Sequence, residues 1–172
     1  GIGAPNANYY TGTIENAVNL TFGGMKVIPF ADLMSERIGL PVRLTNDANA
    51  AAVGEMTYGA ARGMKNFITI TLGTGVGSGI VVGGYVLYGH DGFAGELGHV
   101  TMVRKNGRRC GCGKTGCLEA YASATGVART ARELLETTDK KSVLRNIPAE
   151  SITSKDVFEA AQQGDELAID IF

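Results

Sequence analysis

Tryptophan is absent from this chain, histidine occurs twice, and there are three cysteines and four prolines in 172 residues. Neither charge sign dominates: 16 Lys and Arg against 17 Asp and Glu leave a net charge of −1. No basic field is available to hold nucleic acid or an anionic membrane surface, so neither is expected as a partner of this segment. No apolar run reaches membrane-spanning length and no secretory leader is evident, which predicts a cytoplasmic protein. What the chain has in excess is glycine, 25 residues. The glycines follow no period, which excludes collagen. They are not diluted by Ser and Pro, which excludes a linker. They cluster where a backbone turns tightly or approaches a ligand. With 44% hydrophobic and 19% charged residues the chain is globular, large enough for one domain or a piece of a larger two-domain protein. It opens on Gly1-Ile-Gly-Ala-Pro5 and stops inside an amphipathic pattern at Phe172. We read it as a piece of a longer protein.

All three cysteines fall within eight residues, Cys110-Gly-Cys112-Gly-Lys-Thr-Gly-Cys117, and His99 lies upstream in Gly95-Glu96-Leu97-Gly98-His99. The spacing His-x10-Cys-x-Cys-x4-Cys supplies three thiolates and one imidazole. These fill a tetrahedral zinc shell with no open position, the mark of a structural site. Free thiols in a Gly-rich loop are the plainer alternative. Tight cysteine spacing in a chain without secretory features favours metal over disulfides.

Periodicity predicts a helix over Pro29–Ile38, with Phe30, Leu33, Met34 and Ile38 on one face and Gly39 just past its end. Residues 41–45 read as a short strand. An Ala-rich helix follows to Tyr58, with Asn46 or Asp47 as its N-cap. Residues 66–72 form a β-branched strand, 73–79 a glycine turn, 80–82 a second strand, Gly83-Gly84 a hairpin turn, and 85–88 a third strand. A further short strand is expected over 100–103. Helices are expected over 118–124, 126–136 and 155–162, the last capped by Ser154, with a final one running to Phe172. Residues 137–152 read as a polar loop.

Gly73-Thr74-Gly75-Val76-Gly77-Ser78-Gly79 is neither a Walker loop nor a Rossmann turn, because it lacks Gly-Lys-Ser/Thr and leads into a strand. Its backbone N–H groups can still cradle a phosphate, or it is simply a hairpin. Asp47, at a strand end entering a helix, suits a general base or a cap. Glu96 and Glu119 flank the metal loop, as binding groups or as surface glutamates.

Together these stretches resemble the ROK family of bacterial sugar kinases and sugar-responsive repressors. The match runs through Gly1–Pro5, Asn19-Leu20, Leu44-Thr-Asn-Asp-Ala-Asn-Ala-Ala-Ala52, Gly54-Glu55, the 73–79 loop, Gly92-Phe-Ala-Gly-Glu-Leu-Gly-His99 and the cysteine loop through Glu119. The resemblance implies an α/β fold of the actin/hexokinase (ribonuclease H-like) type, here an incomplete two-lobe kinase with a Cys3His zinc loop. Residues 1–60 would end the first lobe and 61–172 form much of the second. It implies Asp47 as catalytic base. Asn19, Asn46, Asp47, Glu96, His99 and Glu119 would hold the sugar, and Gly73, Thr74, Gly75, Gly77 and Ser78 the nucleotide phosphates. His99, Cys110, Cys112 and Cys117 would bind Zn2+, His99 serving sugar and metal through its two ring nitrogens. ATP and Mg2+ would be the co-substrate and its cation, glucose the sugar, and a homo-oligomer, dimer or tetramer, the full-length state.

The chain departs from the pattern in three places. The first phosphate loop and the last part of the nucleotide pocket are not in it, so this piece is expected not to phosphorylate sugar by itself. Asn6 stands where glycine is usual, and Asn tolerates positive φ. The alternatives are a sugar-binding effector domain of a ROK repressor, an N-acetylhexosamine kinase or a fructokinase.

Overall fold

A computed structural model of the protein describes residues 1–17 and 26–172. The expected sugar contact Asn19 lies outside the described residues. The chain forms two compact units, Gly1–Thr71 with Gly77–Glu96, and Leu72–Val76 with Leu97–Phe172. They are defined by contacts within this chain. The lobe boundary expected at residue 60 concerns a longer fold.

In the first unit, β1 (Ile2–Gly3) begins the chain, followed by β2 (Ala7–Asn8), β3 (Thr13–Glu15) and β4 (Val27–Ile28). Helix α1 (Phe30–Ile38) follows Pro29 and stops at Gly39, which takes φ +67. Strand β5 (Leu44–Thr45) pairs in parallel with β1, and β2-β3-β4 form an antiparallel sheet. Ala7, Ile14, Ile28, Ala31 and Leu44 make its buried core. The predicted strand over 41–45 is only two residues long. Asn6 does adopt φ +51, and its Nδ2 donates to the Glu15 carbonyl at 3.0 Å.

Helix α2 (Asp47–Tyr58) leads to a third sheet of order β6 (Phe67–Leu72), β7 (Val76–Val82), β8 (Tyr85–Val86). Gly83 and Gly84 both sit at positive φ, as a tight hairpin of this hand requires. Two expectations need correction here. The glycine turn is shorter than 73–79, because β7 already begins at Val76, and Gly77, Ser78 and Gly79 are strand residues. The glycines serve packing: a Cβ on Gly79 would lie 2.6 Å from the Ala52 Cβ and 2.9 Å from the Ala48 carbonyl oxygen. The third strand ends at Val86 rather than at residue 88.

In the second unit, α3 (Glu119–Ala122), α4 (Ala124–Thr137), α5 (Ser154–Gln162) and α6 (Glu166–Ile171) follow the cysteine loop. No named strand covers 100–103; a single bridge, Thr101 to Cys117, stands in its place. The cap of α5 is Thr153, not Ser154, in a capping box with Asp156. The segment read as a polar loop holds two short 3-10 turns, Val143–Asn146 and Ala149–Ser151. Leu144 from the first is fully buried with Ala131, Ile152, Val157, Ala160 and Ala168. Leu144 and Ile152, with Ile147 packed alongside, anchor the stretch to α4, α5 and α6. Among the described residues, no helix is long and apolar enough to cross a membrane.

Candidate functional site

Strand β5 ends at Thr45, and α2 starts two residues later. The Asn46 Oδ1 accepts the Asn49 N–H at 2.6 Å, so Asn46 is the N-cap. That resolves the choice left open by sequence. Asp47 is the first helical residue and is exposed, its Oδ1 accepting the adjacent Ala48 N–H at 2.9 Å. The Asn46 amide fills the cap, and the Asp47 carboxylate takes no part in it. One residue the motif reading passed over stands out: Asn49 is 1% exposed and its Oδ1 has no hydrogen-bond partner among the described residues. Ser78 is buried in β7, with its hydroxyl donating to the Gly95 carbonyl. Glu96 is exposed.

In the second unit the glycine turn, the cysteine loop and α3 come together. The Gly73 N–H donates to the Gly75 carbonyl at 3.0 Å and closes the turn. The Thr125 hydroxyl donates to the Thr74 carbonyl, and the Ala124 N–H to the Gly73 carbonyl. Glu119, first residue of α3, accepts the Val76 N–H on Oε2 at 3.0 Å, and its Oε1 lies 3.6 Å from the Cys110 sulfur. A Cβ on Gly75 would stand 2.5 Å from the Glu119 Oε2, so a larger residue there would displace the carboxylate. Thr74, Cys110, Glu119, Thr125, Arg109 and Arg129 all line one cavity of about 280 Å³.

The ligand atoms of His99, Cys110, Cys112 and Cys117 lie within 4.8 Å of one another. The Cys112 and Cys117 sulfurs are 3.7 Å apart, and the Cys110 sulfur is 3.6 Å from the His99 Nδ1. A tetrahedral zinc site demands about 3.8 Å between two sulfurs and about 3.6 Å between sulfur and nitrogen. The four side chains therefore fit such an ion. Without one the thiols are ill-matched to their surroundings. Burial pushes Cys110 up to about 12 and also raises Cys117. Burial acts the same way on Cys112, but the Lys114 backbone N–H and the two neighbouring thiols bring it below its ordinary value. A bound cation favours all three thiolates at once.

With this geometry in hand, the comparisons place the chain. All of residues 1–172 match the sequence pattern of the ROK family, and the chain belongs to that family. It is 47% identical to a glucokinase of Halalkalibacterium halodurans over 99% of its own length and 52% of that protein. A ROK family glucokinase from Streptomyces griseus, solved with glucose and AMPPNP, has a TM-score of 0.82 at 39% identity, covering 99% of this chain and 55% of that one. A ROK family transcriptional regulator, a homolog of the E. coli MLC protein, has a TM-score of 0.83 at 32% identity, covering 96% and 40%. The fold is thus the actin/hexokinase-like fold of ROK sugar kinases, and the chain spans about half the length of the relatives it matches.

Proposed function

We propose that the protein to which this chain belongs transfers the γ-phosphoryl of ATP to a hexose, glucose first among them, with Asp47 as general base. The observation that carries this reading is the start of α2, where Asn46 takes the cap and leaves the Asp47 carboxylate exposed beside it. A sugar primary alcohol is a poor nucleophile. A carboxylate at hydrogen-bond range takes its proton as the phosphoryl arrives, a contribution of about 10²–10⁴-fold. Asn46, Glu96, His99 and Glu119 are the groups for the sugar hydroxyls, a set of donors and acceptors suited to vicinal diols. The turn at Gly73, Thr74 and Gly75 offers backbone donors to the phosphates, and Gly77 and Ser78 continue it into β7. Mg2+ arriving with the nucleotide would supply charge neutralisation for the transferring group.

His99 and the three cysteine sulfurs would hold a zinc ion, whose role there would be structural: the four residues would close the loop that leads to Glu119. The resemblance assigns the other imidazole nitrogen to a sugar hydroxyl.

Asp47→Asn in the full-length protein tests the base. Turnover should fall by about 100-fold or more with sugar affinity within about a few-fold. Near-normal turnover removes Asp47 from the mechanism. The second reading, a sugar-sensing effector domain, is favoured by the regulator among the similar structures. ATP-dependent sugar phosphorylation by the full-length protein, measured against a hexose panel, separates the two.

A further inference from the structure

Arg108 precedes the cysteine loop and belongs to none of the motifs, yet its side chain is only 10% exposed. A guanidinium taken out of water needs partners for its donors. Here they come from three places. Nη1 donates to the Ala120 carbonyl at 3.0 Å in α3 and to the Gly126 carbonyl at 3.2 Å in α4. Nη2 meets the Glu133 Oε2 at 2.6 Å, two turns further along α4. The guanidinium carbon stands 4.6 Å from the centre of the Tyr121 ring, within cation–π range. The main chain is tied as well. The Arg108 N–H donates to the Tyr121 hydroxyl at 2.8 Å, and the Arg108 carbonyl accepts the Gly116 N–H at 2.8 Å, next to Cys117. One residue thus joins both ends of the cysteine loop to the helical elbow that begins at Glu119.

We propose that Arg108 is a positioning residue for the metal site. It holds the Cys110 and Cys117 ends of the loop against α3 and α4, so that the four ligands are gathered before the ion arrives. The inference rests on reading His99 and the cysteines as a zinc site. The planar fork is what the place requires: it reaches two carbonyls and a carboxylate at once, and a lysine ammonium cannot span them. The ion-pair partner is itself shared, since the other Glu133 oxygen accepts from Arg129.

The test uses the full-length protein with Arg108→Ala, Arg108→Lys and, as a control, Leu144→Ala, which damages the buried core of α4, α5 and α6. Zinc affinity is measured by competition with a chromophoric chelator, ligand geometry by the absorption spectrum of the Co(II)-substituted protein, and folding by circular dichroism. Arg108→Ala should weaken zinc binding by about 10–100-fold and shift the Co(II) spectrum, the range typical for loss of an outer support of a metal site. Arg108→Lys should fold and still bind zinc at least about 10-fold more weakly, which keeps the test valid if the alanine variant does not fold. Leu144→Ala should lower thermal stability and leave the Co(II) spectrum unchanged. Zinc affinity close to wild type in a folded Arg108 variant, with an unchanged spectrum, overturns the role of Arg108 alone. So does a Leu144→Ala protein with the same loss and the same spectral shift. A wild-type protein that takes up neither metal overturns the zinc reading itself, a different result.

Discussion

The Glu119 carboxylate accepts the Val76 N–H at 3.0 Å, so the residue that opens α3 also fastens the end of the glycine turn. Its other oxygen reaches the Cys110 thiol. The glycine turn and the cysteine loop, 35 residues apart between Gly75 and Cys110, are held by one side chain. The carboxylate occupies the space that a Cβ at Gly75 would take.

Glu96→Gln should contrast with Asp47→Asn. Glu96 is assigned to a sugar hydroxyl and not to the reacting proton. In steady-state kinetics of the full-length protein, its substitution should therefore raise the sugar KM more than it lowers kcat. A loss confined to kcat would move the base from Asp47 to Glu96.

Metal removal should cost folding as well as binding. Structural zinc contributes directly to the free energy of the fold that surrounds it. Dialysis against a strong chelator should lower the melting temperature by ~10 °C or more, given that about 1 kcal/mol moves a chain of this size by 2–4 °C. Re-addition of zinc should restore it. Identical melting curves with and without metal would count against a structural ion.

Gly79→Ala should destabilise the first unit by about 1–3 kcal/mol, the usual cost of overpacking. The added methyl meets the Ala52 Cβ and the Ala48 carbonyl, and backbone cannot swing aside. Gly111→Ala, with nothing within 4 Å of its new methyl, is the control and should be nearly neutral. Denaturant unfolding of both variants decides.

The Arg129 and Arg108 guanidiniums hold the Glu133 carboxyl below its ordinary value. A carboxyl depressed in the folded state adds stability that is fully present above its unfolded pKa, about 4.3, and is lost as pH falls through the lower folded value. Thermal stability should decline on acidification below about pH 4.5, and Glu133→Gln should flatten that decline. An unchanged acid limb in the variant would show that the pair carries no linkage.

Helices α1, α2, α4, α5 and α6, the β6-β7-β8 succession, the clustering of the cysteines with His99 and the Asp47 turn were legible in sequence, whereas β2, β3 and β4 were not. The legible features are local: they rest on periodicity, glycine positions and spacing along the chain. Tertiary structure decided the rest. The cap at α2 fell to Asn46 because its side chain, not that of Asp47, reaches back to the Asn49 N–H. The glycines at 77 and 79 became strand because α2 presses its alanines against them. Leu144 left its polar surroundings because three helices met around it. Arg108 gained its role from partners 12 to 25 residues away, and no local pattern encodes which carbonyls an arginine will find.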